Sequence, residues 1–131
     1  MPIITAAATC LALTMYHEAR GEGVDGMLAV ADVVLNRKAD PRWPSTVCDV
    51  VFDPDQFEWT IDDILDEPTE PEAWSLAERL AVEVLADPHA TLIGYEATHF
   101  HAVDKTPYWA PDLDLIGKIG GHVFYAEGTI Q

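Results

Sequence analysis

The stretch His17-Glu18-Ala19-Arg20-Gly21-Glu22 is the first place where residue types and spacing suggest chemistry. His-Glu also begins a zinc-protease pattern, which needs a second His four residues after the first, on the same helical face. Position 21 is Gly, so that pattern fails. A carboxylic acid acting on a glycosidic bond fits better. At the end of an apolar helix, half out of water in a cleft, Glu18 is driven toward its protonated form, which a general acid needs near neutral pH. Glu18 and Glu22 stand four apart, so on a continuing helix they are neighbours and repel unless Arg20 or another donor intervenes. The ordinary alternative is a solvated helix end with surface ion pairs.

Two further clusters carry possible chemistry. In Gln56-Phe57-Glu58-Trp59-Thr60, aromatic faces can stack on sugar rings and a Gln amide can bridge two hydroxyls. The same aromatics can equally pin a loop to the core. In Thr98-His99-Phe100-His101, strand alternation sends His99 and His101 to one face. There they can ligate zinc with His122 as a third ligand, hydrogen-bond a substrate, or satisfy buried neighbours. Trp109 sits between Pro107 and Pro111 in a stiff loop, as a cleft wall or as a core anchor.

The elements that must position these residues read as α+β. A helix spans about residues 5 to 20, stopped by Gly21, and a second spans about 25 to 38. The second is apolar nearly all round, as a central buried helix is, and ends in Asn36-Arg37-Lys38, cations at the negative end of its dipole. A short helix follows at 47 to 52, capped by Ser45 or Thr46. Thr69-Glu70-Pro71-Glu72 starts a helix to about residue 86, with the Thr69 hydroxyl as cap. Alternation then predicts short strands at 97–102 and 122–125, with Gly120-Gly121 near a turn. Cys10 and Cys48 have no metal spacing. They read as two small buried hydrophobes, or as one bridge in an oxidising compartment.

Twenty-three acidic and seven basic residues give a formal charge of −16 over 131 residues. Phosphate backbones are held by clustered Lys and Arg, so nucleic acid is excluded, and an anionic membrane surface repels the chain for the same reason. No apolar run reaches the roughly 18 residues of a membrane span. The first residues lack the basic start of a secretory signal, so the expectation is a chain made in the cytoplasm without its own export signal. Eleven of the acids fall between Arg42 and Arg79, where no basic residue stands, and read as a solvated acidic surface.

Several ordered blocks together resemble the SleB/CwlJ-type cell wall hydrolases. These are Cys10-Leu11-Ala12-Leu13, His17 to Glu22, Leu28-Ala29-Val30-Ala31, Val33-Val34-Leu35-Asn36-Arg37, Thr46-Val47-Cys48-Asp49-Val50-Val51, Gln56 to Thr60, Thr98 to His101, Trp109 and Ile119-Gly120-Gly121-His122-Val123-Phe124-Tyr125. The resemblance covers about residues 10 to 125, as one catalytic domain over 1–131. It implies a lysozyme-like α+β fold, mainly helical, with a small antiparallel sheet near the C-terminus. It implies an enzyme without cofactor or metal that cleaves peptidoglycan between N-acetylmuramic acid and N-acetylglucosamine, as a lytic transglycosylase or a muramidase. Spore-cortex members act as lytic transglycosylases on δ-lactam-containing cortex. Glu18 matches the family's catalytic acid. Tyr16, His17, Gln56, Phe57, Trp59, Thr60, His99, His101 and Trp109 fall at expected substrate-binding positions, with Arg20 and Glu22 as structural neighbours. The segment 62–72 belongs to no block of the resemblance. A stand-alone catalytic domain of this kind looks like a phage endolysin, a monomer released to the wall by a holin-type partner. Two other classes stay open: a zinc amidase or peptidase using His99, His101 and His122, and a non-enzymatic acidic decoy of nucleic acid.

The charge generates an expectation of its own. Repulsion from an anionic wall fades as the screening length falls from ~30 Å to ~8 Å between about 10 and 150 mM salt. Clearing of purified wall should therefore rise over that range, and clearing that only falls as salt is added counts against this view.

Overall fold

The computed structural model describes residues 5–53, 67–87 and 92–127. The Gln56-to-Thr60 block lies outside the described residues. The described chain runs α1 (Ala6–Ala19), α2 (Gly23–Ala39), α3 (Val47–Val51), α4 (Pro71–Ala86), β1 (Ala97–Ala102), a 3-10 turn (Ala110–Asp112), β2 (Asp114–Ile119) and β3 (His122–Ala126). The expected α+β, mainly helical architecture is the observed one.

Local chemistry sets the helix ends. The Thr5 hydroxyl accepts from the Ala8 N–H at 3.1 Å to start α1, and Thr46 does the same for Asp49 to start α3. At Arg20 the backbone turns extended, and Gly21 follows with φ +96°, so α1 and α2 are separate helices. The start of α4 differs from expectation. Glu70, not Thr69, is its N-cap, and no side chain caps it. The backbone N–H groups of Thr69 and Glu70 instead donate to the hydroxyl of Tyr16, at 3.0 and 2.9 Å. A side chain 53 residues back in sequence thus fastens the lead-in to α4.

Helix α2 is buried as its composition predicts, and it serves two cores. Met27, Val30, Ala31 and Val34 pack with Leu11, Met15 and Tyr16 of α1, Val50 and Val51 of α3, and Leu80 and Ala81 of α4. Ala29 and Val33 pack with Ala97 and Phe124 of the sheet. Three polar residues of α2 turn inward as well, Asp32 and Arg37 buried and Asn36 partly so. Asp32, 4 % exposed, accepts from the N–H groups of Leu92 and Ile93 at 2.7 and 2.8 Å. Asn36 donates to the carbonyls of Gly94 and Ala97, both at 2.8 Å. Arg37, 5 % exposed, donates through Nε to the Thr98 carbonyl at 2.8 Å. Arg37 and Lys38 stand in the last turn of α2, as expected of cations at the negative end of its dipole; beyond that expectation, Arg37 turns inward and satisfies strand backbone that water cannot reach.

The sheet has the order β1-β3-β2, antiparallel throughout. Strand β2 is an element the alternation did not reveal. It is mostly exposed and its register with β3 slips between Leu115 and Gly117, which breaks the period of two.

Cys10 of α1 and Cys48 of α3 form a disulfide. The bridge, rather than the pair of small hydrophobes, is the outcome. Closing a loop of 38 residues restricts the unfolded chain by ~4 kcal/mol in the chain-entropy account. Reduction, or replacement of both cysteines by Ala, should lower the free energy of unfolding in denaturant by about 2–4 kcal/mol while far-UV helicity is kept. An unchanged midpoint would show that the bridge contributes no stability.

Candidate active site

A cavity of about 420 Å³ opens where the C-terminal ends of α1 and α2 meet the sheet. Its walls are Glu18, Arg37, Phe100, His101, Ala102, Lys105, Thr106, Pro107, Trp109 and His122. Glu18 arrives on the last turn of α1 and is half-buried. Arg37 arrives on the last turn of α2. Burial pushes the Arg37 guanidinium down to about 10, against the charges of Asp53 and Glu18, which hold it up. At neutral pH it remains a cation, fixed by its bond to Thr98 and facing Glu18.

Glu22 is not a helical neighbour of Glu18, because the chain leaves α1 at Arg20. The expectation that the two acids are helical neighbours is corrected, and Arg20 is not the donor between them. Arg20 turns to α4 instead: it donates to the Tyr16 hydroxyl at 3.2 Å and pairs with Glu70 at 3.8 Å. Glu22 reaches across to the β2–β3 turn. Its Oε1 accepts from the Gly121 N–H and from Nδ1 of His122, each at 2.9 Å. Glycines make room for this approach. A Cβ on Gly26 would stand 2.6 Å from Glu22 Cβ, and one on Gly120, whose φ is +58°, 2.6 Å from Oε1.

The strand histidines divide between the two sheet faces. His99 and His101 share one face, as alternation predicts. His99 lies between Trp43 and Trp109, with ring centroids 5.9 and 5.3 Å away. Burial lowers the pKa of His99, helped by the charges of Arg37 and Arg42 and opposed by Glu127. The His101 Nδ1–H donates to the Ala102 carbonyl at 2.7 Å, so its Nε2 accepts from the Tyr125 hydroxyl at 2.9 Å. The ring also stacks on Tyr125 at 5.4 Å, and Trp109 meets Tyr125 edge-on. His122 belongs to the other face. It pairs in register with Ala102 and packs edge-on against Phe100. With two histidines on one face and the third on the other, its Nδ1 engaged by Glu22, the zinc set does not converge. Among the described residues no group of three or more His, Cys, Asp or Glu is arranged to hold a metal ion.

Of the expected substrate positions, His101 and Trp109 line the cavity with Glu18. His99 stands behind Trp109 and is not a cavity wall. His17 packs on Tyr16 and is not a wall either. Tyr16 is corrected outright: it is fully buried, and its hydroxyl serves Arg20 and the lead-in to α4. Gln56, Phe57, Trp59 and Thr60 lie outside the described residues. Sequence reasoning missed Arg37, Lys105 and Thr106 as cavity walls. Lys105-Thr106-Pro107, just ahead of Trp109, was the available signal, a cation and a hydroxyl in the same stiff loop.

Comparison with known proteins adds a family to this geometry. The family model described as Cell Wall Hydrolase matches residues 21–125, beginning just after Glu18. The spore cortex-lytic enzyme of Bacillus subtilis (strain 168) is 32% identical over 117 residues, 87% of this chain and 35% of that protein. That of Halalkalibacterium halodurans is 34% identical over 117 residues, 87% of this chain and 33% of its own length. The chain thus spans about a third of these relatives. Among solved structures, the catalytic domain of the germination-specific lytic transglycosylase SleB from Bacillus anthracis superposes with a TM-score of 0.76 at 29% identity, covering 95% of this chain and 99% of that one. The catalytic domain of the Bacillus cereus SleB protein gives 0.71 at 27% identity, over 95% and 94%. With the family model covering most of its length, the chain belongs to the cell wall hydrolase family.

Proposed function

We propose that this chain cuts peptidoglycan glycan strands between N-acetylmuramic acid and N-acetylglucosamine as a lytic transglycosylase, with Glu18 as the general acid and then the base. The observation that carries this reading is that Glu18 is the only carboxylate, among the described residues, in the cavity wall. Glycosidases of the two-carboxylate kind need a second acid to place water or to form an intermediate. Glu22, the nearest candidate in sequence, is engaged by Gly121 and His122. Internal transfer needs no second acid. The relation to the SleB catalytic domains, one of them named a lytic transglycosylase, supports the same choice.

In this mechanism the Glu18 carboxyl gives its proton to the glycosidic oxygen, and the bond from that oxygen to muramic C1 breaks with the electron pair leaving on oxygen. The muramic 6-hydroxyl oxygen attacks C1, and its proton passes to the Glu18 carboxylate, which restores the acid. The products are a 1,6-anhydro-muramic end and a free 4-hydroxyl on the leaving sugar. Arg37 faces Glu18 and offsets the negative charge present between the two proton transfers. Trp109 and the His101–Tyr125 stack offer an aromatic wall for a sugar ring.

Glu18→Gln keeps size and polarity but carries no transferable proton. It should fold normally and lose clearing of purified peptidoglycan by about 10²- to 10⁴-fold. Mass spectrometry of the digest made by the unaltered protein should find anhydro-muramic ends. Reducing muramic ends would instead make it a muramidase, released stem peptides an amidase, and full activity in Glu18→Gln would remove Glu18 from the mechanism.

A further inference from the structure

The Glu22–His122 pair has a built geometry that the single-acid mechanism leaves unused. His122 is 6 % exposed, yet its ring is part of the wall that holds Glu18. Its Nδ1 lies 2.9 Å from Glu22 Oε1, and an ionised carboxylate can only accept there, so the proton of the neutral ring sits on Nδ1. Nε2 is then an acceptor, and it meets no hydrogen-bond partner among the described residues. Glu22 is itself held tightly, by the Gly121 N–H and by the space left at Gly26 and Gly120. Phe100 packs edge-on at 5.2 Å against the ring and limits its rotation. An acceptor nitrogen fixed in tautomer and orientation, facing a cavity beside the proposed acid, is suited to a ligand hydroxyl.

We propose that His122 is a substrate-binding residue whose Nε2 accepts a hydrogen bond from a sugar hydroxyl of the bound glycan, and that Glu22 is the positioning residue that fixes its tautomer. The hydroxyl is one other than the attacking 6-hydroxyl, whose proton goes to Glu18. The contact sets the sugar ring against Glu18, so its loss moves catalysis more than stability. The inference rests on the glycan-cleaving reading above.

Two kinds of measurement test it. In His122→Asn the short amide retains a donor where Nδ1 stood, so the bond to Glu22 is kept, but nothing replaces Nε2. In His122→Gln the longer amide carries an oxygen near the Nε2 position. We expect kcat/KM on purified peptidoglycan to fall about tenfold or more in His122→Asn, and part of that loss to be recovered in His122→Gln, with thermal midpoints near that of the unaltered protein. We expect Glu22→Ala, which removes the acceptor of the Nδ1 proton and admits the other tautomer, to lower kcat/KM as well, and Glu22→Gln, whose amide oxygen can still accept from both Gly121 N–H and Nδ1, to recover part of that loss. If His122→Asn matches the unaltered enzyme, the proposal is overturned, while glycan cleavage by that enzyme still stands. If the unaltered enzyme leaves the glycan intact, the functional reading itself fails. Nitrogen-15 NMR of the histidines, in the full chain carrying Glu18→Gln so that glycan is not consumed, covers the case of a misfolded variant. The free protein should show His122 protonated on Nδ1 alone, and a soluble peptidoglycan glycan fragment should shift Nε2 and leave Nδ1 nearly still. A proton on Nε2, or an Nε2 signal unmoved at saturating fragment, would falsify the assignment.

Discussion

Helix α2 is buried on both sides, and the molecule depends on how it meets that constraint. A helix between two cores must be apolar all round, yet a strand laid beside it brings backbone groups that need partners. Asp32, Asn36 and Arg37 supply those partners, joining α2 to the lead-in of β1 and to Thr98. A buried acid and a buried guanidinium are costly without such bonds. With them, the helix fixes where β1 begins. The same residue that bonds the strand, Arg37, faces Glu18. Fold and site are therefore built from one set of contacts, and a core defect in α2 reaches the chemistry without touching it.

Much of this was readable in the residues, for physical reasons that also mark where reading stopped. Met27 to Leu35 announce a buried helix because apolar side chains cover every face. His99 and His101 share a face because strands alternate. Strand β2 escaped notice because Asp114, Leu115 and Ile116 are all exposed and a slipped register follows. Arg37 was legible as a helix-end cation but not as a strand's partner, because Thr98 is 61 residues away and no local pattern reports such a bond. The Cys10–Cys48 bridge likewise closes over 38 residues with no spacing rule behind it.

The acidic pair Glu18 and Glu22 shows the same limit inside the site. A spacing of four means neighbours only while a helix continues. One residue in an extended backbone and one glycine at positive φ, Arg20 and Gly21, separate the two acids. Glu18 stays with the cavity, and Glu22 ties the α1–α2 turn to the β2–β3 turn. Two similar residues in one short motif thus take unlike work, and the difference lies in two backbone torsions.

The exposed face of β2 has a consequence for the molecule in solution. With the order β1-β3-β2, β2 is an outer strand whose free side pairs with no other strand among the described residues, and Leu115 and Ile116 on it are 67 % and 37 % exposed. Such a rim is a template for the same strand of another copy, and edge-to-edge stacking is the usual route from a small sheet to aggregates. Net charge opposes that encounter at long range. The excess of acids that excluded nucleic acid therefore acts as a colloidal guard on this rim, and it weakens as the medium approaches a pH of about 4.3, where the sequence carries no net charge.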